Sequence, residues 1–266
     1  MEYIETQAAW IRFGLFAGGL VVFLLIELVI PYRPPTVSKF KRVANNLGLV
    51  TLNSVILNLI FALPVVQLAA YVNANNIGVL NHYHPPFWVK TVITVLFLDL
   101  MLYVWHAINH YLPFLWRFHR VHHSDLNMDV STASRFHIGE LAISKVIQMG
   151  WIYLLGADLA GVIVFESLVV LLTQFHHSSL TIPKWFETIW WVFFVPPSMH
   201  RIHHSVVIRE RNTNYGAILS LWDRVLGTLK TDVEQDRIKI GVGAYSRESQ
   251  VGYLKLLLMP AEKPVR

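Results

Sequence analysis

His119-Arg120-Val121-His122-His123-Ser124 is written twice in this chain: the pattern returns as His200-Arg201-Ile202-His203-His204-Ser205. His106 and His110, four apart, precede the first copy at the end of a long apolar run. Eight of the 13 histidines therefore fall into three boxes, HxxxH, HxxHH and HxxHH. On a helix, positions i, i+3 and i+4 share a face, so each box aims its imidazoles in one direction. Three such faces turned on a common point offer too many nitrogen donors for one metal ion and enough for two. A near-identical hexapeptide carrying three histidines does not recur casually.

The surroundings are apolar. Hydrophobic residues make up 54% of the 266 positions and charged residues 15%, with a mean hydropathy of +0.45. Soluble domains carry roughly a quarter charged residues, so the expected fold class is an all-α integral membrane protein. The net charge of +5 then reads as a topology and anionic-lipid signal. No aromatic-basic interleaving of a nucleic-acid module accompanies it, and nucleic acid is set aside as a partner. The absence of cysteine excludes disulfides, a thiolate-ligated haem and a cysteine-held iron–sulfur cluster. Redox chemistry here must use His, Asp, Glu or Tyr and draw electrons from a separate protein. The acidic start, with Glu2 and Glu5, lacks the basic region of a signal peptide, so the first apolar run is expected to stay as an anchor.

In chain order, residues 11–30 are long enough to span the roughly 30 Å hydrocarbon core. Arg12 lies at the mouth of this run, Glu27 near its end in an interfacial role, and Pro31 stops it. Arg33, Lys39, Lys41 and Arg42 place the following loop in the cytoplasm. A second segment, 43–71, carries Asn45, Asn46, Asn53 and Asn58, with a kink expected at Pro64. The loop 73–86 has no basic residue and suits the outer side, so His82 and His84 are not read as ligands. In the third span, 87–111, Asp99, Tyr103, His106 and His110 form one helical stripe. The expected partner of Asp99 is the second nitrogen of a ligating imidazole, or an Arg or Tyr near the site. Residues 141–155 and 161–175 are each short for a crossing and predict a helical hairpin that returns His176 and His177 beside the boxes. Residues 185–195 fit an interfacial helix, and 253–259 a short piece resting on the membrane surface.

The expectation is thus one domain over 1–266, with about three full transmembrane helices plus a short helical hairpin. Residues 10–112 and 138–195 are mainly in the membrane; 113–137 and 196–250 form a cytoplasmic histidine-rich cap. Neutral imidazole suits iron, copper, zinc and nickel. The supply is His106, His110, His119, His122, His123, His200, His203 and His204, with His137 and His177 as a ninth and tenth. HExxH is absent, which argues against a metalloprotease. A cation transporter places its ligands on broken helices near the midplane, whereas these lie at helix ends on one side. Iron is the preferred metal, because a nitrogen-rich, cysteine-free site beside apolar substrate suits oxygen activation. The alternatives are a non-enzymatic metal-binding or transport protein and a zinc-dependent membrane hydrolase.

The series Asp99, Tyr103, His106, His110, then His119, His122, His123, then His200, His203, His204 resembles the fatty acid hydroxylase/sterol desaturase superfamily. Arg135-Phe136-His137 with Glu140, His177, Asn212-Thr213-Asn214-Tyr215-Gly216 and Trp222-Asp223-Arg224 support the resemblance over residues 90–230, while Ser179 stands where many members have Asn. It implies a membrane oxygenase with two iron ions held by the ten histidines named above. Dioxygen is the implied co-substrate, and electrons come from a reductase with a ferredoxin- or cytochrome-type carrier. The implied reaction is hydroxylation or desaturation of a lipid or sterol C–H bond, in a bacterial inner membrane or endoplasmic reticulum, with the site facing the cytoplasm. His177 is preferred over His176, and Asp99, Glu140, Asn214 and Asp223 are implied to support the ligands. From the residues alone, Asn214-Tyr215-Gly216 is equally a turn and Asp223-Arg224 equally an ion pair. Arg209, Arg211 and Arg224 offer a basic face for an acidic carrier.

Overall fold

The computed structural model describes residues 2–61, 65–263 and 265, the side chains of 2–6, 8 and 9 excepted. Five long helices run beside one another: α1 (Glu2–Val29), α2 (Lys39–Ile60), α5 (Phe87–Tyr111), α7 (Ile138–Leu155) and α8 (Leu159–His177). Two shorter ones, α3 (Val65–Ala74) and α4 (Val79–Tyr83), lie between α2 and α5. Pro64, where a kink was expected, lies outside the described residues. By length and composition five segments can cross a membrane, with α2 to α4 counted as one. Their outward side chains, such as Phe13, Val21, Leu25 and Leu28 of α1, are exposed. In lipid nothing drives those side chains inward.

The expected hairpin is present as α7 and α8, but its arms are longer than the apolar runs implied. Both are long and apolar enough to cross, because polar caps extend them beyond the hydrophobic stretch. Asp158 starts α8 by accepting from the Gly161 N–H at 2.9 Å. Gly156 ends α7 in the left-handed region at φ +71°, and a Cβ there would lie 2.6 Å from the Ile77 carbonyl oxygen. The return turn therefore packs on the loop before α4, and His176 and His177 come back to the end at which α7 began. His82 and His84 are exposed near α4, at the opposite end.

α5 and α8 pack together at the centre, with α1 on α8 and α3 on α7. Leu98, Ile152, Val162 and Phe165 fill the space between them. Gly19 of α1 lies beside Gln174 and Leu171 of α8.

Beyond the spans come the short helices α6 (Pro113–His123), α9 (Lys184–Phe193), α10 (Pro197–His203), α11 (Ile208–Arg211), α12 (Leu221–Val225) and α13 (Tyr253–Leu258). α6 and α10, which carry the HxxHH boxes, both begin with proline in the first turn; there its missing N–H costs nothing and its fixed φ is already helical. α9 has no buried residue, and Trp185, Ile189 and Phe193 are exposed, as an interfacial helix requires. α13 is more than a surface piece. Leu254 and Leu258 face outward, while Leu256 and Met259 pack into a core with Leu49, Trp116 and Val121.

One buried polar latch ties α1 and α2 to the loop after α6. Arg42 pairs with Asp125 and, at 2.9 Å, with Asp129, and donates to the Asn127 carbonyl. Glu27, at the end of α1, is 2% exposed. It accepts from Lys39 Nζ (2.6 Å), Val130 N (2.9 Å) and Ser179 N (2.8 Å), joining three segments. Removing one member of a buried ion pair strands the other charge, at a cost of about 3–5 kcal/mol. Arg42→Met is therefore expected to destabilise the protein by about that amount, measured as thermal or denaturant unfolding in detergent. A loss under about 1 kcal/mol would show that the latch is not buried.

Candidate metal centre

Four helices bring their C-terminal turns to one place: α5 with His106 and His110, α6 with His119, His122 and His123, α8 with His177, and α10 with His200 and His203, followed by His204. Each helix end carries partial negative charge, which favours a cation. The imidazoles sort into two groups, His106, His110, His119, His123 and His203 in one and His122, His177, His200 and His204 in the other. Within each group the ligand atoms lie within 4.8 Å of one another. Neither HxxHH box serves one group alone. The i and i+4 members of the first box join one group and its i+3 member the other; the second box is divided in the reverse sense.

Hydrogen bonds at the far side of the rings fix which nitrogen is free. Nδ1–H donates to a carbonyl oxygen in His106 (Tyr215, 2.8 Å), His177 (Thr173, 2.7 Å) and His203 (Thr213, 2.8 Å). A carbonyl can only accept, so the proton sits on Nδ1 and the Nε2 lone pair points inward. His119 Nδ1 faces Glu140 Oε1 at 2.8 Å to the same effect. The inward atoms crowd: Nε2 of His177 is 3.1 Å from that of His122 and 3.0 Å from that of His200. His119 and His123 meet at 3.2 Å, and His200 and His204 at 3.1 Å. Nε2 of His110 and of His203 is buried with no hydrogen-bond partner. Metal–nitrogen bonds of about 2.1 Å put neighbouring donors roughly 3 Å apart, the spacing these nitrogens show. The residues fit two metal ions.

Burial, and next the neighbouring imidazoles, push His122, His123, His200 and His204 well below the ordinary histidine value; His203 follows them for the same causes. These rings stay neutral, the form that ligates.

Nine of the ten expected ligands come together. His137 does not. It caps α7, Nδ1 accepting from the Gly139 N–H at 2.9 Å, and Nε2 donates to the Leu257 carbonyl at 3.2 Å. Both its nitrogens are engaged with backbone, so its place in the Arg-Phe-His motif is structural. His176 stays outside both groups, its ring 4.0 Å from that of His200 and hydrogen-bonded to the Ala217 backbone.

Of the supporting residues, Glu140 touches a ligand directly. Asp99 does not, contrary to expectation: it accepts from the N–H groups of Ile218 (3.3 Å) and Leu219 (3.2 Å) and from Trp222 Nε1 (2.7 Å). It thereby fixes the segment whose Tyr215 and Ala217 carbonyls orient His106 and His176. Asp223 holds the same segment, accepting from the N–H groups of Tyr215 and Gly216 at 2.8 Å each. Arg224 is no partner of Asp223; it donates to the Trp191 and Val192 carbonyls. Asn214 takes the left-handed region at φ 56° and pins the turn to Met199 and Lys230. The turn and the support of the ligands are thus one structure. Arg135, noted only as part of a motif, locks the end of α6 through Val121 O, Asn46 and Ser124.

A cavity of about 490 Å³ opens from the histidines into the span level. Met101, Leu102, Leu141 and Val169 give it an apolar wall, and Arg12 and Glu166 stand at its far end.

Two outcomes follow from this geometry. His123→Ala and His204→Ala each remove a donor from a closed group, and metal per protein, measured on purified variants, should fall in both. His137→Ala should keep the full complement; loss of metal there would return His137 to the ligand set. Because the folded rings titrate below 6.5, the unfolded chain binds protons first as the pH drops. Stability and metal retention are therefore full above about pH 6.5 and decline below it. Unfolding midpoints that do not fall between neutral and mildly acid pH would contradict this.

Comparison with known proteins agrees with the geometry. The chain is 29% identical over 189 residues to an ornithine lipid hydroxylase of Rhizobium tropici, covering 70% of this chain and 55% of that protein. It is 27% identical over 139 residues to the human (Homo sapiens) cholesterol 25-hydroxylase, 52% of this chain and 50% of that one. Against an alkylglycerol monooxygenase of Danio rerio it is 30% identical over 151 residues, 54% of this chain and 31% of that one. The matched region thus spans about half, or less, of these curated relatives. No solved structure matches significantly. The sequence model for "fatty acid hydroxylase" matches residues 91–228, which hold every histidine of both groups, and the chain belongs to that family.

Proposed function

We propose that the chain is a membrane oxidoreductase that hydroxylates or desaturates a C–H bond of a lipid or sterol-like substrate, using dioxygen and a non-haem di-iron centre. The observation that carries this reading is the pair of imidazole groups at the closed end of an apolar, membrane-level cavity. Two iron ions held there supply dioxygen activation. In hydroxylation one oxygen atom enters the C–H bond, and the other leaves as water with two external electrons and two protons. In desaturation the substrate gives up two hydrogens, and with two external electrons and two protons both oxygen atoms leave as water. A separate reductase with a ferredoxin- or cytochrome-type carrier supplies the electrons.

Nine neutral imidazoles without a thiolate favour iron over structural zinc, which takes four donors, usually with cysteine. The relatives' printed names, a lipid hydroxylase, a sterol hydroxylase and an alkylglycerol monooxygenase, support a lipid substrate. The protein's own part is to keep each lone pair aimed inward, to fix the ring tautomers, and to exclude water with Met101, Leu102 and Val169 along the approach. The basic residues of the loop before α2 support a cytoplasmic site in a bacterial inner membrane or endoplasmic reticulum. The carrier face is narrower than the sequence offered. Arg209 is exposed, but Arg211 is buried with its guanidinium 4.5 Å over Trp116, and Arg224 is bound to backbone.

The test is purified iron-loaded protein in lipid, supplied with reductase, carrier and isotopically labelled dioxygen. Expected is a lipid heavier by one labelled oxygen, or lighter by two hydrogens, only when the electron source is present. Product formed equally without any reductant, or none with every component present, overturns the reading.

A further inference from the structure

The cavity end remote from the histidines is charged. Arg12 of α1 and Glu166 of α8 approach to 2.6 Å across it, and both line it. Glu166 precedes His177 by three helical turns, roughly 16 Å at about 1.5 Å per residue. Glu166 therefore stands inside the α8 span, reached by Arg12 from near the start of the α1 span, and ionisable side chains at that level are costly and mark function. Holding α1 to α8 does not require it: Gln174 Nε2 donates to the Phe16 carbonyl at 2.9 Å, and the Phe23 and Phe175 rings meet at 6.1 Å. The two form a close ion pair, Arg12 Nη1 to Glu166 Oε2, and Glu166 is 8% exposed. The Arg12 side chain keeps 35% exposure.

We propose that Arg12 and Glu166 anchor a hydroxyl group at the end of the substrate remote from the carbon that is oxidised. This rests on the lipid-oxidation reading for what happens at the histidines. The hydroxyl hydrogen donates to the Glu166 carboxylate, and the hydroxyl oxygen accepts from the Arg12 guanidinium. A hydroxyl is the group that satisfies both members at once. A carboxylate has no proton for Glu166 and meets its charge, and an alkane leaves both ions without a new partner. Sites built to bond a hydroxyl reject analogues that lack it. The distance along α8 sets the body of the ligand: an elongated apolar frame of roughly 16 Å between hydroxyl and reacting carbon, either an alkyl chain or fused rings.

The experiment reads binding to metal-loaded protein in detergent, without reductant, so that no turnover enters. Radiolabelled cetyl alcohol bound to immobilised protein is displaced by unlabelled cetyl alcohol, palmitate or hexadecane, which share one chain length. Cetyl alcohol should displace at roughly tenfold lower concentration than either of the others, the size of one hydrogen bond to a charged group. A fused-ring alcohol run in parallel shows which apolar body the cavity takes. In the double variant Arg12→Met with Glu166→Leu the ratio should fall to about one. Replacing both members of a buried pair by apolar residues is often neutral for folding, and unchanged metal per protein confirms the fold. Glu166→Leu alone gives a second reading and should also lose the preference. Equal displacement by all three ligands in the unmodified protein overturns the proposal, as does a preference that survives in either variant. Retained selectivity for alcohols in a protein that never oxidises a lipid would sink the oxygenase reading and leave the anchor standing.

Discussion

Everything in this structure depends on the crowding of imidazoles at one point. Inward-facing Nε2 atoms stand 3.0–3.2 Å apart in both imidazole groups, on buried side chains. At His106, His177 and His203 carbonyl acceptors hold the proton on the other nitrogen, so the inward atom carries a lone pair. Burial disfavours the imidazolium. What remains is a cavity of negative potential at four helix C-termini, whose natural occupant is a cation. Metal binding to the folded state then contributes directly to its stability.

Such a centre needs a frame that holds without the metal's help at the moment of folding. The frame is polar. Arg42 with Asp125 and Asp129, Glu27 with two backbone N–H groups and Lys39, and Arg135 with Asn46 and Ser124 all act at the level where α1 and α2 leave the membrane. Apolar packing between spans supplies little orientation in lipid, where the solvent is as apolar as the side chains. Hydrogen-bonded charges are directional and lose much if strained. Asp99 and Asp223 repeat the device below the second HxxHH box. They bind backbone N–H groups of residues 215–219 and so reach the ligands only through carbonyl oxygens.

That indirectness marks what the sequence could and could not disclose. The three boxes, their shared side and the membrane setting were legible, because spacing on a helix and runs of apolar residues are local properties. The hairpin was legible in direction and misjudged in length, since Asp158 and His137 extend α7 and α8 by capping, which hydropathy does not see. His137 stands apart for the same reason: a histidine near boxes looks like a ligand until its neighbours in space, Gly139 and Leu257, are known. Asp99 pointed correctly to the site but not to its partner, because the N–H groups it binds carry no side-chain signature. The division of each HxxHH between two groups depends on how α6 and α10 face each other, and no single stretch contains that fact. Glu166 did leave a signal, a carboxylate inside an apolar run.

The recurrence of one hexapeptide can now be accounted for residue by residue. Positions one, four and five are the imidazoles, divided between the two groups, so that each copy must supply all three. Position three, Val121 or Ile202, is fully buried on the opposite face, seating its short helix on a core. Position two is arginine in both copies, and in both it clamps an outer segment away from the imidazole groups. Arg120 binds the carbonyls of Met259, Glu262 and Lys263. Arg201 lies 3.6 Å over the Tyr32 ring and donates to Gln235 at 2.7 Å. Position six is serine, which fastens the turn after the last histidine: Ser124 donates to the Val121 carbonyl, and Ser205 donates to Glu210 and accepts from Val207 N–H. A helix of seven to eleven residues has few faces to share among these tasks. Assigning i, i+3 and i+4 to the imidazole groups leaves only i+1 and i+2 for the clamp and the core, and i+5 for the stop. Two such helices brought end to end meet the same constraint and arrive at five identical residues and a Val121–Ile202 match at position three.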